Sequence, residues 1–166
     1  MTQELAIRRV AGATGDADLL HAIAEFHPQL LALARLLVGQ DADARDLVQD
    51  TIEAAIRHAR DLRDPSRLRP WLVTIEARLA GRARHRFWRH VPLDPEVAST
   101  VSLDGEDMFA LREALKSLPK RIRAAVVLHH MAGLSVGETA TAMGVSENTA
   151  KSELKQGLRK LREMLT

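Results

Sequence analysis

The chain of 166 residues contains no cysteine and no tyrosine, and only 3% of it is aromatic. Without cysteine there is no disulfide framework and no cysteine-ligated zinc, which fits a reducing compartment. No apolar run approaches the roughly 20 residues of a membrane span. The opening stretch, MTQELAIRRVAGATGDADLL, lacks the apolar core of a signal peptide, so a cytoplasmic protein without membrane insertion is expected. Paired carboxylates, a Ser/His/Asp arrangement and a glycine-rich phosphate loop are all missing, so the chain reads as a non-enzyme that needs no cofactor. His129 and His130 are adjacent and cannot form the i, i+4 pair that grips a metal, so packing is the expected role for both and no metal site is expected.

What is present is 46% hydrophobic and 28% charged residues, enough for real cores. The formal net charge of +2 hides a segregation. Residues 57–90 hold ten arginines against Asp61, Asp64 and Glu76, and residues 119–166 are basic as well. Residues 41–53 hold five acids against Arg45 alone, and residues 94–113 are again acidic. Charge scattered over solvated helix faces would be mixed; blocks suit a polyanion touched at two places.

Apolar spacing predicts an all-α protein: two small helical domains joined by a flexible acidic linker. Residues 1–17 read as a frayed tail. A pattern from Asp18 through Leu37 is interrupted by Pro28, which predicts a short helix and a longer one, or one kinked helix. A helix from Ala42 to about Arg60 has one stripe of Leu47, Val48, Thr51, Ile52, Ala55 and Ile56, with Asp46, Gln49, Asp50 and Glu53 outside it. Pro70 fits the first turn of a helix that carries Trp71, Leu72, Ile75 and Leu79 into the basic run RARHRFWRH. Trp71 suits core better than a stacking platform. Phe87 and Trp88, interleaved with Arg84, Arg86 and Arg89, suit either stacking on unpaired bases or anchoring the end of the domain. The first domain thus covers 18–90, a linker covers 91–107, and a second domain covers 108–166.

The last third is the most specific. Ser135 and Glu138 make a reciprocal capping box, Gly144 permits a left-handed turn, and Ser146 caps a second helix. On that helix Ala150, Leu154, Leu158, Leu161 and Leu165 form the expected buried stripe. The opposite side carries Asn148, Thr149, Lys151, Ser152, Lys155, Gln156 and Arg159. Short hydrogen-bonding side chains come first and long cations after, as a helix entering a major groove requires. A plain helical hairpin with a solvated face has the same spacing.

In their order, DLVQD (46–50), the LP-x-R-x-R-x-x-x-x-L stretch (118–128) and the helix-turn-helix ending in TAKS resemble a bacterial RNA polymerase sigma factor of the extracytoplasmic-function group. The resemblance spans about residues 20–165. It implies a first domain that binds the clamp helices of the polymerase largest subunit through Asp46, Gln49, Asp50 and Glu53. That domain would also open the −10 element, with Arg78, Arg82, Arg84, Arg86, Trp88 and Arg89 in its DNA-reading stretch. The second domain would read the −35 element and contact the polymerase flap. An anti-sigma factor is the further partner it implies.

Two departures stand out. Where the family pattern is I-A-R-N-L-A-x-D, this chain has Ile75 to Arg82, so Arg78 replaces an asparagine and Arg82 an aspartate. Two cations grip phosphates without reproducing the base contacts of an amide and a carboxylate. In the recognition helix Glu153 and Leu158 stand where cations are common; Glu153 would accept from a cytosine amino group or repel phosphate. These changes keep alive a sigma-like interaction protein that binds polymerase or an anti-sigma factor without opening promoters. A one-domain regulator would leave the basic block at 57–90 and the DLVQD face unexplained.

Overall fold

The structure, a computed structural model, describes residues 16–87 and 106–166. All regular structure there is helical. The tail before residue 16, most of the acidic linker, Trp88 and Arg89 lie outside the described residues.

Helix α1 (Asp16–Val38) runs through Pro28 as one helix, which rules out the short-plus-long alternative and leaves the single-helix one. Proline removes one helical hydrogen bond, to the carbonyl of Ala24, but both residues are on the exposed side, where water can serve that carbonyl. The other side buries Ile23, Phe26, Leu30, Leu33 and Ala34 on both flanks of the proline, and that apolar burial outweighs the lost bond. Gly39, at φ 88°, ends the helix. Helix α2 (Asp41–Arg57) folds back along it, burying Ala44, Leu47, Val48, Thr51 and Ala55. It stops three residues short of the expected Arg60, giving way to a 3-10 turn at Ala59–Asp61. The α1–α2 corner is fixed by Asp41, which accepts from Arg35 Nε at 2.6 Å and Arg45 Nε at 2.8 Å. Those bonds, Arg35's first, hold the Asp41 carboxyl below its ordinary range. A turn at Pro65–Arg67, capped by the Asp64 carboxylate, leads into α3 (Leu68–Phe87).

The second half comprises α4 (Glu106–Ser117), α5 (Lys120–Val126) continuing into a π turn at Val127–Met131, α6 (Val136–Met143) and α7 (Glu147–Leu165). In the π turn the rings of His129 and His130 meet edge to face at 4.7 Å. His129 Nδ1 donates to the carbonyl of Leu134 at 2.7 Å, so its role is to close the turn.

Two cores result. One joins α1, α2 and α3 through Phe26, Leu30, Val48, Leu68 and Leu72. The other centres on α4 to α7 through Leu115, Leu118, Val126, Leu128 and Leu154, and it also takes in Leu33, Val73 and Ala77 from the first half. The halves therefore meet along a packed seam.

Candidate nucleic-acid and partner-binding surfaces

The helix-turn-helix is built from local capping. Glu138 N–H donates to Ser135 Oγ at 3.1 Å, and Ser135 N–H donates to the Glu138 carboxylate at 2.8 Å. Those bonds, the backbone one from Ser135 foremost, hold Glu138 ionised below its ordinary range. Gly144 takes φ 67° and ψ 38° at the end of α6, and Thr149 N–H donates to Ser146 Oγ at 3.2 Å to start α7.

Asn148, Lys151, Ser152, Lys155, Gln156 and Arg159 are all exposed on α7, and Thr149 is half-buried with its hydroxyl 2.9 Å from Ser146 Oγ. The buried stripe differs from the expected one. Ala150, Leu154, Gly157 and Leu161 are inside, whereas Leu158 and Leu165 are 42% and 48% exposed. Successive helical residues are rotated by roughly 100°, so a stripe passing through 150, 154, 157 and 161 turns Leu158 outward. Gly157 is the member that apolar pattern reading missed. A Cβ placed on it would sit 2.4 Å from Val126 Cγ2 and 3.0 Å from Ile122 Cγ2, so α7 rests on α5 only because that side chain is absent.

Glu153 is also corrected. It is not displayed toward a DNA groove: its carboxylate pairs with Arg121 at 2.7 Å and its side chain is 12% exposed. The ion pair ties α7 to α5 and removes the carboxylate from the cationic face.

On α2, Asp46, Gln49, Asp50 and Glu53 form one exposed face opposite the packed stripe, with Gln49 Nε2 donating to Glu53 at 3.2 Å. On α3, Arg78 and Arg82 are exposed. Arg84 and Arg86 follow on the same helix with side chains outside the described set. Trp71 packs partly buried against the first core, as its apolar neighbours suggested. Glu76 is the surprise of this helix. It is fully buried, neither carboxyl oxygen has a hydrogen-bond partner, and burial pushes its pKa up to about 9. The carboxyl is therefore uncharged at neutral pH. Among the described residues no cluster of His, Asp or Glu is arranged to hold a metal ion, and no helix is long and apolar enough to cross a membrane.

The two faces sit in matching halves of a known design. Residues 22–90 match the family described as Sigma-70 region 2, and residues 108–161 match Sigma-70, region 4. The ECF RNA polymerase sigma factor SigM of Mycobacterium tuberculosis (strain H37Rv) is 34% identical over 98% of this chain and 83% of its own length. This chain is an ECF sigma factor. RNA polymerase sigma factor SigV of Bacillus subtilis is 29% identical, covering 92% of this chain and 94% of its own length. Among solved structures, the sigma factor RpoE of Bartonella quintana in complex with the anti-sigma factor NepR is similar at a TM-score of 0.64 and 26% identity. It covers 89% of this chain and 96% of that one. CnrH in complex with the cytosolic domain of CnrY gives 0.63 at 25% identity, covering 98% and 96%. Within this sigma factor the region 2 match contains the α2 acidic face, Arg78 and Arg82, and the region 4 match contains the helix-turn-helix.

Proposed function

We propose that this sigma factor binds core RNA polymerase through the α2 face and directs it to a two-part promoter, with α7 reading the −35 element and α3 the −10 element. The carrying observation is the pairing of an exposed acidic face on one Sigma-70 region with a capped, cation-lined α7 on the other. An acidic, hydrogen-bonding face opposite a packed stripe suits a basic protein surface, and α7 offers short polar side chains at its start and cations beyond. The first domain is assigned residues 18–90, the linker 91–107 and the second domain 108–166. The protein acts on transcription without catalysing a reaction itself, in the cytoplasm, where polymerase is found. An anti-sigma factor is the proposed regulator, by similarity to the RpoE and CnrH complexes.

Runoff transcription with core polymerase and fragmented DNA of the source genome tests this reading. Discrete transcripts that appear only with the protein are expected. Binding to core without transcripts would favour the polymerase-binding competitor and point to Arg78 and Arg82, whose charges differ from the amide and carboxylate of the family pattern.

Three substitutions separate the surfaces. Lys155→Ala and Arg159→Ala are expected to weaken upstream-element binding and to lower the salt slope by about one per lost phosphate contact. Promoter activity unchanged in both would remove the assignment of α7. Asp50→Arg is expected to weaken core binding about tenfold or more while circular dichroism stays as in the parent, since its side chain lies on the exposed face. Loss of helicity instead would make Asp50 structural.

A further inference from the structure

A hollow of about 520 Å³ is walled by α1, α3, α4 and the end of the π turn. None of its lining residues belongs to the acidic face of α2, to the Arg78 and Arg82 stretch or to α7. Its floor is apolar: Leu30, Leu33, Leu72 and Leu115 all line it and are buried. Ala32 and Ala132 line it with single methyl groups, which shortens the reach of two walls. Helix packing ordinarily closes such a space with interdigitating side chains. Water is a poor occupant, because a buried water needs about two to four polar partners and the leucine floor has none.

The charge on this lining has one sign. Arg69 and Arg112, both half-buried, are part of it, and among the described residues no Asp or Glu is. The buried Arg123 elsewhere in the second half is already engaged: its terminal nitrogens donate to the carbonyls of Lys116 at 3.2 Å and Leu37 at 3.3 Å. Arg69 pairs with no described carboxylate. Its Nη1 lies 3.6 Å from where a Cβ on Gly133 would stand, which puts the cation at the end of the hollow formed by Met131 and Ala132. Met131 is 39% exposed and comes from the π turn. Such local π insertions recur at functional sites, and an unbranched thioether adapts to ligands of varied shape.

We propose that this hollow is a binding site for an aliphatic monocarboxylate, a free medium-chain fatty acid, whose tail lies among the four leucines and whose carboxylate is met by Arg69. The volume falls within the range of about 300–1,000 Å³ usual for small-ligand pockets, which are mostly apolar with a few placed polar groups. A guanidinium offers a carboxylate two parallel N–H donors, and the second cation, Arg112, adds positive charge on the same lining. Binding there does not depend on the polymerase or promoter assignments, since the lining residues are separate from them.

Isothermal titration of the full chain with hexanoate, octanoate and decanoate, below the concentrations at which they form micelles, tests the site. One molecule per chain is expected, with affinity rising about fourfold for each methylene taken out of water. Arg69→Gln is expected to weaken octanoate about tenfold or more and to leave uncharged 1-octanol unchanged. Ala32→Phe, which extends a ring from a half-buried position on the wall, is expected to abolish binding of both, with circular dichroism as the folding control. Octanoate should raise the thermal midpoint of the parent and not that of Ala32→Phe. No saturable binding of any of the three acids to the parent would overturn the site. Affinity independent of chain length would overturn the seating of the tail, and octanoate binding unchanged in Arg69→Gln would overturn the role of that cation. A folded Ala32→Phe protein that still bound octanoate would put the ligand elsewhere. The chain-length series and Arg69→Gln decide the matter even if Ala32→Phe unfolds.

Discussion

Gly157→Leu is expected to destabilise the second half by about 3 kcal/mol or more and to abolish upstream-element binding. Glycine in mid-helix costs about 1 kcal/mol relative to alanine, so a helix former at position 157 looks favourable on propensity alone. Packing decides against it. A single Cβ there approaches Val126 Cγ2 to 2.4 Å and Ile122 Cγ2 to 3.0 Å, and overfilling a packed contact costs about 1–3 kcal/mol for the first extra carbons. Gly157→Ala should therefore lose about 1 kcal/mol net, seen as a lower thermal midpoint. Leucine cannot be seated without lifting α7 off α5, which also breaks the Arg121–Glu153 pair. The neighbouring Leu158, which is exposed, serves as control: Leu158→Ala should change stability by no more than about 0.5 kcal/mol. Val126→Ala should recover part of the loss caused by Gly157→Ala, a coupling of about 1 kcal/mol in a double-mutant cycle. Independent, additive effects of the two changes would mean that the contact between α7 and α5 is loose.

The same helix shows what could be seen in advance and what could not. Its start was legible because the signals are local: Ser135 with Glu138, a left-handed Gly144 and a capping Ser146 specify the turn within a dozen residues. The polar face of α2 was legible for a similar reason, since a 3.6-residue stripe fixes which side chains remain outside. The proposed polymerase and DNA residues follow from those faces. Pro28 left two outcomes open because its cost depends on whether the freed carbonyl meets water, which α1 arranges by burying the other side. Leu158, Glu153 and Gly157 were misassigned or missed because α5, whose contacting residues lie 31 to 35 positions earlier, decides what α7 buries. Arg123 stood inside a quoted motif, but its acceptors are 7 and 86 residues away in sequence, and no periodicity announces them. Local chemistry was readable; the seam, being long-range, was not.

Glu76 is the sharpest case of a long-range effect, and its removal should strengthen the fold. Ile75 and Ala77 flank it in an arginine-rich helix, and by composition it reads as one more surface charge. The family pattern has a small apolar residue at this place, and the side chain is wholly inside, with both oxygens unpartnered. Burial raises its pKa from 4.5 to about 9. Between those values the folded state keeps a proton that the unfolded chain releases, so stability falls as pH rises across the window. Below pH 4.5 both states are protonated and this penalty vanishes. At pH 7 the cost amounts to about 3 kcal/mol, at 1.36 kcal/mol per pKa unit. Glu76→Gln removes the titration and keeps a buried polar group, whereas Glu76→Met removes both at similar length. At pH 7 to 8 the expected order of stability is Met above Gln above Glu, with the Gln and Glu proteins converging as pH falls toward 5. The measurement is denaturant unfolding of the three proteins from pH 5 to 9. Parallel profiles for Glu and Gln would show that the carboxyl is ionised in the folded state and has found a charged or hydrated partner, and the penalty would then be absent. A sloping difference would instead place a protonated acid within the core of α3, in the helix proposed to present Arg78 and Arg82 to the −10 element. The apolar variant would then be a more stable sigma factor whose promoter activity reports whether that acid serves function or only weakens the fold.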